Sequence, residues 1–425
     1  MVFDPMDFSE NPAVYFTLNV FFHAGTLSSS DESVTGKIMK ASCALLETLT
    51  TAINNLTVSN YDHGLNGLEF VDNGQLYFSV GSFTNGGRVD PRLTKLNNKE
   101  NFLSASINVA YVFHPDFDGS IKWSAPGNMI AKGIDVFGVG TRNAYGLMLL
   151  SNGKLYATDN GPNTGFGSMA NGCKGEFIAS QKRDDKFLLI KQGRYYGHPN
   201  HKRAAFFNDT RQCIWVPLET PSNSNYTAPL MNGMGSSRNG IIEFHSNHFE
   251  RQLRGYVIIG RYRSTPSLNL IILNPDGTDV VPESQTILPM GIGANSLDIT
   301  QAPNGFIAKI SYSSNELALL IPNKKAVNET TVHTVFPKGG LNGGGNILSI
   351  YGINFVKSPT IEVGGRNCPF VTAVSTRKQI NCALPGGNGT VDLAVRGGGQ
   401  SSTFAKGYRY ISGLLPLDFR IPIYK

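Results

Sequence analysis

One short unit recurs along the first three quarters of the chain: a glycine turn followed by a strand of alternating apolar and β-prone residues. It reads DNGQLYFSV at 72–80, SNGKLYATD at 151–159, more weakly RQLRGYVIIGR at 251–261, and APNGFIAKISY at 302–312. An Asn-Gly pair ahead of a period-two strand is a strong short-range signal for a tight turn between antiparallel strands. Irregular recurrence of one such unit over some 300 residues suggests radial blades of antiparallel strands, a β-propeller. Gly 47 and Pro 22 with only 16% charged residues fit many short strands and tight turns. At 425 residues there is room for a large all-β domain and a second, smaller one.

The texture changes near Val332. From there short strands follow one another every 8 to 12 residues with glycine turns between them, which reads as a small β-sandwich. The expected division is a propeller over 1–330, a sandwich over 331–411 and an unassigned tail over 412–425. The opening turns, Asp4-Pro5 and Asn11-Pro12, feed a strand at Val14–Val20. Because the chain starts in mid-strand, a signal peptide and the first strands are expected to lie outside it. Residues Lys40 to Asn54 read either as a short helix or as a broken alternating strand.

Net charge is +6 (37 basic minus 31 acidic) and scattered, without the Lys/Arg blocks that nucleic acid or anionic membrane surfaces call for. No run approaches the ~18 apolar residues of a membrane span. Asn-X-Ser/Thr sequons at Asn55, Asn208, Asn225, Asn328 and Asn388 are open to glycosylation in a secreted protein. The cysteines sort into Cys173 with Cys213, Cys368 with Cys382, and Cys43 alone, and a bridge between Cys368 and Cys382 is geometrically easy if they lie on neighbouring strands.

Chemistry concentrates at the ends of the repeated strands. Arg142 and Asn143 precede one of them, a Gly161-Pro162 corner follows it, and Asp62-His63 precedes another. These pairs flank equivalent strand ends, so a propeller can bring them to one mouth. His63 is the best candidate general base, with Asp62 beside it to orient the ring, although an Asp-His-Gly turn also suits a plain loop. Arg142 is a fixed cation that can steady a developing alkoxide. Gly161 and Pro162 offer carbonyl oxygens, and Asp184, Asp185 and Tyr196 further oxygen ligands, of the type calcium takes. Asp116 and Asp118 lack the distal glutamate of a calcium loop and read as a turn. His198 and His201 flank Pro199, and His245 and His248 sit in a polar turn, so neither pair lies on a helix face with a third zinc ligand nearby. There is no Gly-X-Ser-X-Gly elbow and no phosphate-cradling glycine loop before a helix.

Taken together, the Asp62-His63 loop, Arg142-Asn143 with Gly146, Asn160-Gly161-Pro162 and DKFLLIKQGRYYGHPN at 185–200 resemble the soluble glucose/sorbosone dehydrogenase family. Its members are six-bladed propellers whose active forms bind pyrroloquinoline quinone (PQQ) and calcium. The resemblance runs from Val2 to Leu320, and it implies an N-terminally incomplete six-bladed propeller here. The module after it resembles an IPT/TIG domain, an immunoglobulin-like β-sandwich, through GGGNILSIYGINF and PTIEVGGRNC.

Carried onto this chain, the resemblance makes His63 the base that takes a sugar hydroxyl proton while hydride passes to the quinone. It makes Arg142 the electrostatic partner beside Asn143, Arg261 or Arg263 the grip on the quinone carboxylates, Gly161 and Pro162 the carbonyl ligands of the quinone-bound calcium, and Asp185 and Tyr196 ligands of a second, structural calcium. Lys186 stands where the family has an acidic residue, and Asn295 where it often has arginine. The expected activity is a secreted sugar or aldose dehydrogenase. The alternative is a non-catalytic extracellular protein that recognises a glycan or a protein through the propeller mouth or the TIG-like domain.

Overall fold

A computed structural model describes residues 1–5, 7, 12–19, 35–42, 48–59, 63–71, 74–84, 100–124, 128–162, 184–198, 226–235, 237–262, 267–282, 285–289, 296–311, 315–322, 329–372 and 378–411. Among these residues the structure is strand and turn with one short 3₁₀ segment, and no helix is long and apolar enough to cross a membrane.

Five sheets follow one another along the chain. The first holds β1 (Val2–Phe3), β2 (Val14–Asn19), β3 (Thr35–Ser42) and β4 (Thr48–Thr57). In the second, β5 (Leu65–Val71), β6 (Gln75–Val80) and β7 (Ser106–Ala110) are joined by β10 (Ile134–Val139), with a hairpin of β8 (Ile121–Ser124) and β9 (Asn128–Ala131) between β7 and β10. The third comprises β11 (Ala144–Leu149), β12 (Leu155–Asp159) and β13 (Lys186–Ile190). The fourth is β14 (Arg238–Glu243), β15 (Val257–Arg261), β16 (Ser267–Ile271) and β17 (Thr286–Pro289), and the fifth β18 (Ser296–Gln301), β19 (Ile307–Ser311) and β20 (Glu316–Leu320). Each is an up-and-down antiparallel meander, the blade of a propeller. Five blades are thus seen among the described residues. Of the two readings of Lys40–Asn54, the strand holds. Met39 faces Thr51 and Ala41 faces Leu49 across a β3–β4 pair rich in β-branched threonine.

Alternation along each strand supplies both of its neighbours. On β12, Leu155 and Ala157 join an apolar cluster shared with the second blade, while Tyr156 between them joins one shared with the fourth. The same arrangement links the first blade to the second through Ile38, Ile53 and Phe78, and the fourth to the fifth through Ile258, Leu270 and Ile299. The core is therefore a row of wedges between blades. Each fully buried Leu or Ile contributes roughly 1.5–3 kcal/mol.

The first strands of the blades lie closest together, β5 against β11, β11 against β14 and β14 against β18. A glycine makes each approach possible. A methyl group on Gly67 would sit 2.4 Å from Leu147 Cβ, one on Gly146 2.4 Å from the Asn239 carbonyl, and one on Gly240 2.4 Å from Asp298 Oδ1. Each of these first strands also has a register shift against its partner just after its start.

The remaining strands form the sandwich. One sheet orders β21 (Thr331–Phe336), β23 (Ile347–Ile353), β27 (Gln379–Ala383) and β26 (Phe370–Thr372). The other orders β22 (Gly339–Leu341), β29 (Gln400–Ile411), β28 (Gly389–Gly397), β24 (Thr360–Val363) and β25 (Arg366–Asn367). Val332, Leu348, Ile361, Val395 and Tyr408 fill the space between them. Cys368 and Cys382 are disulfide-bonded with Cα atoms 5.5 Å apart. Cys43, Cys173, Cys213, Asn208, Asn225, Asn328 and the tail from 412 lie outside the described residues. Asn388 is exposed ahead of Gly389, and the Asn55 side-chain amide donates to the Ile121 carbonyl.

The sandwich meets the propeller at the end of the blades away from the strand starts. His333 on β21 reaches Ser246 and the Pro303 carbonyl, Asn247 bonds Thr331, and Arg251 pairs with Glu329. Phe404 packs edge-on against His245, and Phe336 against Phe3 of the first blade. This end is called the base, and the opposite one the mouth.

Candidate functional site

First strands run from mouth to base and second strands return, so residues just before the one and just after the other gather at the mouth. His63 precedes β5, Arg142 and Asn143 precede β11, Gly161 and Pro162 follow β12, Asp185 precedes β13, and Arg261 ends β15. The mouth thus collects these candidates on one face. Asp62, Arg263, His201 and Asn295 lie outside the described residues.

The peptide of Ser82 joins the first two candidates. Its carbonyl is 3.2 Å from His63 Nδ1, and its N–H donates to the Arg142 carbonyl at 2.7 Å. A carbonyl only accepts, so His63 Nδ1 is protonated and donates to it. Gly81 leaves room for this, since a methyl group there would stand 2.3 Å from His63 Cβ. Both His63 and Arg142 are buried, Arg142 to 1% exposure.

A chain of side-chain amides then runs from the second blade into the third and ends on a carboxylate. Asn66 Nδ2 donates to Asn143 Oδ1 at 2.6 Å, Asn143 Nδ2 to Asn160 Oδ1 at 3.0 Å, and Asn160 Nδ2 to Asp185 Oδ2 at 2.9 Å. Asp159 Oδ1 accepts the Asn143 N–H at 2.8 Å and fixes the loop that carries Arg142. Asp185 accepts from the Gly161 N–H at 3.0 Å on one oxygen and from the Arg238 N–H at 2.5 Å on the other. One carboxylate therefore orients the Gly-Pro corner and pins the third blade to the fourth. Burial pushes Asp185 up to about 6, helped by Asp159, while its N–H donors pull it down.

Lys186 follows directly, buried to 3%, with its Nζ 3.4 Å from the Tyr196 carbonyl. The Tyr196 hydroxyl points along β13 instead, donating to the Leu189 carbonyl and accepting from the Lys191 N–H. Among the described residues, no three His, Cys, Asp or Glu side chains cluster as metal ligands.

Two features escaped the sequence reading. Arg238, buried to 1% with Nε on the Met234 carbonyl, stands at the head of β14 as Arg142 does at the head of β11. Burial and then the like charge of Arg261 lower it to about 10. The signal was present: Arg238-Asn239-Gly240 repeats Arg142-Asn143 with its nearby Gly146, and Asn66-Gly67. The other is a fully buried pair, His198 Nε2 to Glu100 Oε1 at 3.0 Å. Burial alone would raise Glu100, but hydrogen bonds from His198, Ser104 and Thr84 and the attraction of His198 hold it at about 2. Burial lowers His198 and Arg142 adds to that, while the Glu100 carboxylate, to which Nε2 donates, pulls it back up.

Residues 2–319 match the family described as Glucose / Sorbosone dehydrogenase, and residues 330–410 match the IPT/TIG domain. No curated protein matches the chain. Among solved structures, one described as glucose dehydrogenase is 16% identical over 76% of this chain and 81% of its own, with a TM-score of 0.49. The calcium structure of a Trichoderma reesei Carbohydrate-Active Enzymes Family AA12 protein is 16% identical over 68% and 78%, TM-score 0.44. The holo form of the PQQ domain of pyranose dehydrogenase from Coprinopsis cinerea is 13% identical over 67% and 78%, TM-score 0.41.

Proposed function

Because this chain belongs to the glucose/sorbosone dehydrogenase family over residues 2–319, we propose that it is a secreted oxidoreductase that oxidises a sugar hydroxyl with PQQ and calcium at the propeller mouth. The observation that carries this reading is the Ser82 backbone, whose carbonyl accepts from the His63 ring and whose N–H donates to the Arg142 carbonyl, tying the two loops together.

The donor set suits such a cofactor. Arg142 and Arg238 are buried and Arg261 half-buried at the mouth, and the mutual repulsion of Arg238 and Arg261 is relieved by an anionic guest such as a tricarboxylate. Gly161 and Pro162 are buried beside them and supply carbonyl oxygens for calcium. When bound, the quinone supplies the hydride acceptor.

His63 Nε2 takes the hydroxyl proton of the sugar, with the ring oriented by the Ser82 carbonyl that accepts from Nδ1. Arg142 stabilises the negative charge that grows on that oxygen as the proton leaves. Asp159 and the Asn66–Asn143–Asn160 amides keep the Arg142 loop from shifting while charge moves.

The test is calorimetric titration of PQQ into calcium-loaded full chain, followed by dye reduction with a panel of aldoses. Tight binding lost in Arg142→Ala, with turnover lost and binding kept in His63→Ala, is the expected pattern. Absence of quinone binding in a folded protein would refute it and leave the mouth as a glycan- or protein-recognition surface.

A further inference from the structure

The mouth contains a place where oxygen ligands converge around a positive charge that the chain itself provides. Asp159 and Lys186 are directly opposed Cα partners on β12 and β13. Directly opposed residues of an antiparallel pair project to the same face with Cβ atoms about 4.5–5.5 Å apart. Asp185 immediately precedes Lys186, the charges of both carboxylates act on the Lys186 ammonium, and all three residues are at most 3% exposed. The Tyr196 carbonyl lies 3.4 Å from Lys186 Nζ. Two carboxylates and a carbonyl are the ligand types of a hard dication such as calcium. Here an ammonium stands among them.

We propose that Lys186 is a built-in cation at this point, offsetting part of the charge of Asp159 and Asp185 in the place a structural metal ion would take, so that this part of the propeller folds without calcium. Two buried carboxylates with no counter-charge are strongly unfavourable. The lysine balances one full charge and donates to the carbonyl as well. The N–H groups of Gly161 and Arg238 and the Asn160 amide partly satisfy Asp185, and the Asn143 N–H partly satisfies Asp159. A dication entering the same nest would meet the ammonium at short range and be repelled. Lys186 is thus a positioning residue. It steadies Asp159, which steadies the peptide carrying Arg142, and Asp185, which steadies Gly161.

This assignment holds whether or not the chain oxidises sugars, and its test uses neither quinone nor sugar. The full chain is stripped with EDTA and titrated with calcium alone, reading stoichiometry by calorimetry and melting temperature with and without the metal. Wild type is expected to take up at most one tightly bound calcium, at the Gly161–Pro162 carbonyls. Lys186→Glu, which replaces the ammonium by a third carboxylate, is expected to take up one more and to melt several degrees higher with calcium than with EDTA. A second tight calcium in wild type overturns the proposal, and this measurement needs no variant. A folded Lys186→Glu that gains no calcium overturns it too.

Discussion

His333 gives the seam between sandwich and propeller a pH dependence that can be worked out in advance. The ring is buried, with Nδ1 3.4 Å from the Pro303 carbonyl and Nε2 3.2 Å from Ser246 Oγ. The carbonyl requires a proton on Nδ1, so Nε2 accepts from the serine and the imidazole is neutral. Burial lowers it from the usual 6.5 to about 4, with the positive fields of His248, Arg254 and His245 adding in the same direction. An imidazole kept neutral in the folded state binds its proton more readily when unfolded. Its contribution is therefore fully present above pH 6.5 and is lost as pH falls from 6.5 toward 4. About 2.5 pH units at ~1.4 kcal/mol each is about 3.5 kcal/mol in all, most of it gone by about pH 4.5.

The assay is urea unfolding of the full chain at about pH 7 and about pH 4.5, for wild type and for His333→Asn, whose amide keeps a donor but does not titrate. His248 is also lowered by burial and contributes to both proteins, so the difference between them isolates His333. Wild type should lose about 2–3 kcal/mol more than the variant over this interval. Equal losses, within about 0.5 kcal/mol, would refute the assignment of a neutral buried imidazole at the seam.

Asp185→Asn replaces an acceptor of two backbone N–H groups and one amide by a group that accepts on one side only, and should cost about 2–4 kcal/mol in the urea midpoint at unchanged slope. An unchanged midpoint would mean that Asp185 does not hold the third and fourth blades together, leaving that to packing and to bonds such as Thr158 Oγ1 to the Asn239 carbonyl. Gly146→Ala drives a methyl group to 2.4 Å from the Asn239 carbonyl and should destabilise by at least about 3 kcal/mol or prevent folding. Gly153→Ala, at φ +76 in open space, should cost only about 1 kcal/mol, and similar melting temperatures for the two would contradict the close approach of first strands.

The blades were legible because each announces itself locally: an Asn-Gly turn and a period-two strand are properties of ten residues. The gathering of His63, Arg142 and Gly161 followed from strand direction alone. What stayed hidden depends on separation. Glu100 and His198 are 98 residues apart and meet only because the mouth of the second blade touches the loop after β13. Lys40–Asn54 was ambiguous because its apolar residues fit two periods, and pairing between β3 and β4 decides the matter. Arg238 was missed although its Arg-Asn-Gly start repeats an earlier one. The glycines of the first strands looked like ordinary turn formers, and only the packing of β11 on β14 reveals them as spacers.

Among the described residues the sandwich covers the base, and His63, Arg142 and Gly161 gather at the mouth, which under the proposed activity is their doorway. For a catalyst that must meet two partners in turn, a reductant that gives up electrons and an oxidant that collects them, one doorway dictates the order of events. The first product has to clear before the second partner can dock. Substrate and acceptor then compete for the same entrance, and each in excess slows the other. Under the proposed activity, that would be the kinetic signature of a substituted-enzyme cycle, and the placement of an accessory domain would be its cause.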